Sequence, residues 1–294
     1  MALRINLLGT GALACLLGAR LASVAEVTLV GTWAEGLAAI EERGIVVEGP
    51  EGATTVRVQA APLGASVGSA DLILVLVKAW QTERVAGHLS SLLTPNGIAL
   101  TLQNGLGNLE KLGPRARLGV TTLGATLLGP GHVRLGGVGP THVAAPEWVA
   151  DLLRSAGFET HLAENVEGLL WSKLVANCGI NALTALLRVS NGELLARPDA
   201  TAVMDRAATE CAAVARAKDI ALPFDDPIAH VREVAQRTAT NSSSMLQDIL
   251  RGAPTEIEAI NGAVAQEGKR LYVPTAVNEM LWRLIRALVN HRAF

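Results

Sequence analysis

The chain has 294 residues, of which only 3% are aromatic and 18% charged. So few rings leave little surface for base stacking, and 25 Lys+Arg against 27 Asp+Glu leave no excess of cations to neutralise a phosphate backbone. Nucleic acid is therefore not an expected partner. The cysteines are Cys15, Cys178 and Cys211, odd in number and without C-x-x-C or Cys/His ligand spacing. Neither a disulfide framework nor a zinc site is expected, and a reducing cytoplasm fits best. The six histidines form no ligand cluster, so no metal is expected either. No apolar run approaches the roughly 18 residues needed to cross a bilayer, so no membrane partner is expected. What is abundant is Ala, Leu and Val, with 50% hydrophobic residues overall. Such a chain buries a large aliphatic core, as one large or two medium domains.

The apolar stretch Ile5–Ala19 behind Arg4 has the look of a secretory signal, with Ala14-Cys15 faintly like a lipoprotein cleavage site. Against this, Ile5-Asn6-Leu7-Leu8 reads as a buried strand. Its removal would strip the following pattern of its first strand.

That pattern alternates short aliphatic strands with helices: Leu3–Leu8, a helix from Ala12, Val27–Val30, a helix from Ala34, Leu72–Val77, a helix over Thr82–Leu92, and Ile98–Leu102. Alternation of this kind predicts a mostly parallel sheet covered on both faces. Leu118–Thr126, His132–Leu135 and Thr141–Ala144, broken by glycines, are expected as antiparallel additions. From about Glu164 only helical segments follow: Val166–Leu187, Ala200–Lys218, Asp226–Thr238, Ser243–Leu250, Glu256–Gly268 and Thr275–Val289. Pro198, Pro223, Pro227, Pro254 and Pro274 punctuate them. We expect an α/β domain over 1–164 and an all-α domain over 165–294, packed together without a linker.

Gly9-Thr10-Gly11-Ala12-Leu13-Ala14 directly follows a strand and opens a helix, the context that the G-x-G-x-x-A dinucleotide fingerprint of a Rossmann-type domain requires. Gly9 permits the tight turn, Gly11 lets the pyrophosphate reach the backbone, and Ala14 allows close helix–strand packing. At the end of the second strand a carboxylate would read the ribose of NAD, whereas this chain has Thr32 and no acid before Glu35. NADP(H) is therefore the expected cofactor, gripped without a neighbouring arginine. Lys78 and Gln81 after the third main strand, and Asn104 after the fourth, lie at the carboxyl edge where open α/β sheets bind ligands. Capping of the next helix is their other reading.

In the helix Trp171–Leu187, Lys173, Asn177, Asn181 and Thr184 fall in one narrow stripe on an otherwise apolar surface. Such a stripe faces a polar interior, either a structural network or the wall of an active site. Asn241, Ser244 and Asp248 are expected to share another helical face, and Glu256 borders an apolar stripe made of Ile257, Ile260 and Val264. A carboxylate at a core margin needs a partner, and Lys173 is the candidate.

Taken with VKAWQT (77–82), QNGLG (103–107), WSKLVANCGINALTAL (171–186), NGELL (191–195) and NSSSMLQDILRGAPTEIEAING (241–262), the sequence resembles the ketopantoate reductases over nearly its whole length. The resemblance implies a Rossmann-type domain followed by an all-α domain of the 6-phosphogluconate dehydrogenase C-terminal-like kind. It implies NADPH-dependent reduction of 2-dehydropantoate (ketopantoate) to (R)-pantoate in pantothenate and coenzyme A synthesis. By that resemblance Lys173 is the general acid and Glu256 a substrate-site carboxylate. Asn177, Asn181, Asn241 and Ser244 are then substrate contacts, Lys78, Gln81 and Asn104 lie near cofactor and substrate, and Gly9, Thr10, Gly11, Ala12, Leu13 and Thr32 line the cofactor. The sequence departs from its relatives at Thr32, where they usually carry an arginine for the 2′-phosphate. Two other readings stay open: a reductase of another branched 2-oxo acid, and a non-catalytic NADP(H)-sensing regulator, for which an acid opposite the nicotinamide would have no use. The partner is then a small-molecule 2-oxo acid. Oligomeric state is not encoded legibly, with a homodimer admitted.

Overall fold

The computed structural model describes residues 3–290. The chain divides into two compact units, Met1–Gln103 with Asn108–Val166, and Asn104–Gly107 with Glu167–Phe294.

The first unit opens with β1 (Arg4–Leu8), α1 (Ala12–Leu21), β2 (Glu26–Gly31) and α2 (Ala34–Arg43), as the alternation predicts. A stretch that the pattern leaves unassigned then forms β3 (Ile45–Gly49), β4 (Gly52–Val56) and β5 (Gln59–Pro62). β6 (Ala70–Val75) leads into a 3-10 turn, Ala79–Gln81, and two short helices, α3 (Thr82–Ala86) and α4 (Leu89–Leu92). The single helix expected over Thr82–Leu92 is therefore interrupted, at Gly87-His88, where glycine is a poor helix former. β7 (Leu93–Thr101), α5 (Asn108–Leu112), β8 (Ala116–Thr121), β9 (Ala125–Gly129), β10 (His132–Leu135), β11 (Thr141–Val143), α6 (Glu147–Ser155) and β12 (Thr160–Leu162) complete the unit.

The main sheet has the order β12-β11-β8-β7-β6-β1-β2-β5, with β1 parallel to both neighbours, β2 and β6. Ile5 and Leu7 bury into one apolar cluster and Leu8 into another, so both faces of β1 are covered, and the one polar residue between them, Asn6, is buried with its Nδ2 donating to Gly68 O. Of the expected antiparallel additions, β11 does pair antiparallel with β8, and β10 with β9. β8 itself is parallel to β7, because α5 supplies the crossover that a parallel connection needs. β10 also runs parallel to β3, and with β4 and β9 they form a second, four-stranded sheet that the pattern did not foresee.

The second unit is helical: α7 (Val166–Leu187), α8 (Pro198–Ala217), α9 (Pro227–Arg237), α10 (Ser244–Arg251), a π-helical turn (Glu258–Gly262), α11 (Ala263–Leu271) and α12 (Ala276–Asn290). Pro198 and Pro227 sit in the first turns of α8 and α9, where their missing N–H costs nothing. The Asp226 carboxylate caps α9 by accepting from Ile228 N and Ala229 N. Contrary to the expectation that no segment approaches bilayer length, α7 is long and apolar enough to cross a membrane by length and composition. Most of it is buried within the helical unit, as befits a core helix: Leu174, Val175, Cys178, Ala182 and Ala185 are nearly inaccessible.

A buried polar chain ties this core together. The Glu210 carboxylate of α8 accepts from Val277 N, Asn278 N and Asn278 Nδ2 at the start of α12, while Asn278 Oδ1 accepts from Asn261 Nδ2. Asn261 also donates to the Cys178 carbonyl on α7. Asn261 is thus a cross-link between the π turn, α12 and α7.

Candidate functional site

The dinucleotide fingerprint occupies the turn between β1 and α1. Gly9 has φ +131°, and its N–H donates to Val30 O at 2.8 Å. A Cβ there would stand 3.1 Å from the Leu76 carbonyl group, so the turn and the approach of the segment that follows β6 both need glycine. Gly11 precedes α1 without a side-chain cap, and a Cβ added to it would meet nothing within 4 Å. Open space beside an uncapped helix start is what a pyrophosphate requires, so these residues fit a dinucleotide. Thr10 is buried and packs on Gly31, where a Cβ would come 3.0 Å from Thr10 Cγ2. Ala12 and Leu13 are partly buried against the sheet, and Ala14 is fully packed between helix and strand.

At the end of β2, Thr32 is exposed and its hydroxyl accepts from Gln81 Nε2 at 3.4 Å. Lys78, half-buried, precedes the 3-10 turn, and its carbonyl accepts from Gln81 N at 2.8 Å. The structure therefore brings Thr32, Lys78 and Gln81 to one place. Gln103, in contrast, is occupied internally: its Nε2 donates to Val77 O and Thr82 Oγ1, and its Oε1 accepts from Thr101. It holds β7 to the turn after β6.

In the helical unit, Lys173 is half-buried on α7. Burial pushes its ammonium down from 10.5 to about 8, and the nearby Glu256 carboxylate opposes that shift. Glu256, 6% exposed, precedes the π turn, and its Oε2 accepts from Asn104 Nδ2 at 3.4 Å. Lys173, Glu256 and Asn104 are thus gathered from three separated segments. Asn177 and Asn181 follow Lys173 along α7, and among the described residues their carboxamides have no hydrogen-bond partner within the protein. Thr184, the fourth residue of the stripe, differs. Its hydroxyl donates to Ser243 Oγ at 2.7 Å and lies 2.9 Å from Ile180 O, fastening α7 to α10.

Asn241 does not share a helical face with Ser244 and Asp248. The Ser243 side chain accepts from Leu246 N, which starts α10 at Ser244 and leaves Asn241 exposed before the helix, with its carbonyl accepting from Asn191 N. One feature escapes sequence reasoning, the π turn, whose residues read as ordinary helix.

A cationic donor of lowered proton affinity, a buried carboxylate and unspent amides can together bind an anionic carbonyl compound and deliver a proton to it. Comparison with known proteins agrees in kind. Residues 5–148 match the family model described as ketopantoate reductase PanE/ApbA, and residues 165–289 match its C-terminal counterpart. The chain is 36% identical to 2-dehydropantoate 2-reductases of Archaeoglobus fulgidus and Halobacterium salinarum, covering 97% of this chain in each case and 97% and 98% of theirs. Among solved structures it resembles a PanE/ApbA family ketopantoate reductase from Ralstonia eutropha (TM-score 0.92, 32% identity, 99% and 100% of the two chains). It also resembles D-mandelate dehydrogenase bound to NADH and anilino(oxo)acetate (TM-score 0.93, 29% identity, 98% and 99% covered). The protein is an oxidoreductase with a nicotinamide dinucleotide cofactor, and the chain belongs to the ketopantoate reductase family.

Proposed function

We propose that the protein reduces ketopantoate to (R)-pantoate with NADPH, the reductive step of pantothenate and coenzyme A synthesis. The observation that carries this reading is the Lys173–Glu256–Asn104 cluster, a proton donor near neutrality flanked by groups suited to a hydroxylated 2-oxo acid. When bound, the dinucleotide supplies a hydride to the carbonyl carbon. Lys173 stabilises the negative charge growing on the carbonyl oxygen and then gives it a proton, recovering one from solvent after turnover. Asn177 and Asn181 donate to the substrate carboxylate without placing a second cation beside the lysine. Glu256, Asn241 and Ser244 receive the substrate hydroxyl end, and Asn104 orients Glu256. Gly9, Thr10, Gly11, Ala12 and Leu13 cradle the pyrophosphate, while Thr32, Lys78 and Gln81 meet the adenosine phosphate or ribose.

Mixing the protein with NADPH and ketopantoate tests the proposal: absorbance of the reduced nicotinamide should fall only when the 2-oxo acid is present. Binding of NADPH without turnover of any 2-oxo acid would instead support a sensor. The likeness to D-mandelate dehydrogenase favours one second reading, reduction of a different 2-oxo acid, such as an aryl one. A higher kcat/KM for benzoylformate than for ketopantoate would establish that alternative. The proposal includes a cytoplasmic homodimer acting on a small molecule, without nucleic acid or membrane. The three cysteines, all unpaired and buried, support a reducing location.

A further inference from the structure

The tetrapeptide Asn104–Gly107 is attached to the segment around Glu256 at two points. Asn104 Nδ2 donates to Glu256 Oε2, and two residues later Leu106 N donates to Ala259 O at 2.9 Å. The second bond depends on the π turn. In a regular helix the Ala259 carbonyl would accept from Ala263 N, but Ala263 N donates to Ile260 O and Gly262 N reaches back to Ile257 O. The widened turn thereby presents the Ala259 carbonyl to the loop. Between the two attachments stands Gly105, with φ +79°. A Cβ there would overlap the Ala259 carbonyl oxygen and lie 2.7 Å from Ala259 Cβ. Both the backbone conformation and the approach therefore demand glycine.

We propose that Gly105 and the π turn form a backbone latch that sets the orientation of the Glu256 carboxylate, making Gly105 a positioning residue for the reaction. Its absent side chain lets the loop seat on Ala259, which brings the Asn104 amide onto Glu256 and so fixes the counter-charge of Lys173. The consequence for turnover rests on the reading under Proposed function, whereas the consequence for Lys173 does not.

The test is Gly105→Ala, alone and combined with Asn104→Ala. For the reductase, kcat/KM should fall roughly 10- to 100-fold with Gly105→Ala, the scale of a small misplacement at a reacting centre. Because Gly105 acts by seating Asn104, the double variant should be little worse than Asn104→Ala alone. Multiplying losses, as general loosening of the fold would produce, would overturn the proposal. Independently of turnover, lysine NMR titration should show Lys173 losing its proton at lower pH in Gly105→Ala than in the unaltered protein, because a displaced carboxylate no longer supports the ammonium. An unchanged Lys173 titration would overturn the latch. Absence of turnover in the unaltered protein would count against the reductase reading alone. Should Gly105→Ala not fold, amide exchange in the unaltered protein decides: the Leu106 N–H should be protected, and fast exchange there would overturn the latch.

Discussion

Gln81 donates from Nε2 to Thr32 Oγ1 across 3.4 Å, so the end of β2 carries two neutral side chains in contact, where a carboxylate would favour NAD and an arginine NADP. The expected outcome is a modest preference for NADPH over NADH. Thr32→Arg should raise that preference about tenfold, because a guanidinium can pair bidentately with the 2′-phosphate. Thr32→Asp should reverse it. Steady-state kcat/KM with each cofactor checks both, and equal values in the unaltered protein would remove the argument from the missing acid.

Lys173→Ala should lower kcat by roughly 10²-fold or more, because the developing alkoxide loses its counter-charge and its proton source together. With the ammonium at about 8, reduction requires the protonated form and should decline as pH rises through that value. The reverse oxidation needs the neutral amine and should rise over the same interval. Opposed profiles for the two directions are the measurement; profiles of the same sign would remove Lys173 from the acid–base role.

Glu256→Ala should act mainly on substrate binding, with a raised KM and unaltered dinucleotide affinity. The carboxylate raises the proton affinity of Lys173, so its loss should move the lysine-dependent limb of the pH profile to lower pH. An upward shift would mean that Glu256 does not face the lysine in solution.

Glu267 bears on stability rather than chemistry. It accepts from Lys218 and Arg270, both at 2.8 Å, and these partners hold its carboxyl at about 2, below the ordinary 4.5. A carboxyl held low contributes stability that is complete above its unfolded value and is lost as pH falls from about 4.5 towards 2. Glu267→Gln should cost about 1–2 kcal/mol at neutral pH, a figure reduced for partial exposure. Thermal melts should show the two proteins converging as pH approaches 2.

Much of this was legible in the sequence because the determinants are local. β1, the glycine turn and α1 lie within adjacent residues, and the proline-marked helices start within a few residues of where the pattern puts them. The second sheet was not legible. β4 is exposed along most of its length and offers no apolar alternation, and β3 finds its partner β10 far along the chain. Of the polar stripe on α7, the sequence identified the positions but not their division of labour. Thr184 is consumed by Ser243, and only the folded contact tells it from Asn177 and Asn181. The need for glycine at 105 arises likewise from Ala259, which no window around QNGLG contains.

The two-part composition of the helical unit has a consequence during synthesis. Asn104 and Glu256 are 152 positions apart, so at ribosomal rates of about 5–20 residues per second the loop waits roughly 8–30 s before its partner exists. Throughout that interval the nascent chain has made the tetrapeptide but not the turn that receives it. Assembly of the Asn104–Glu256 contact is therefore among the late events in this protein's biogenesis, and a ribosome stalled before codon 256 would carry a chain with its first unit made and that contact missing.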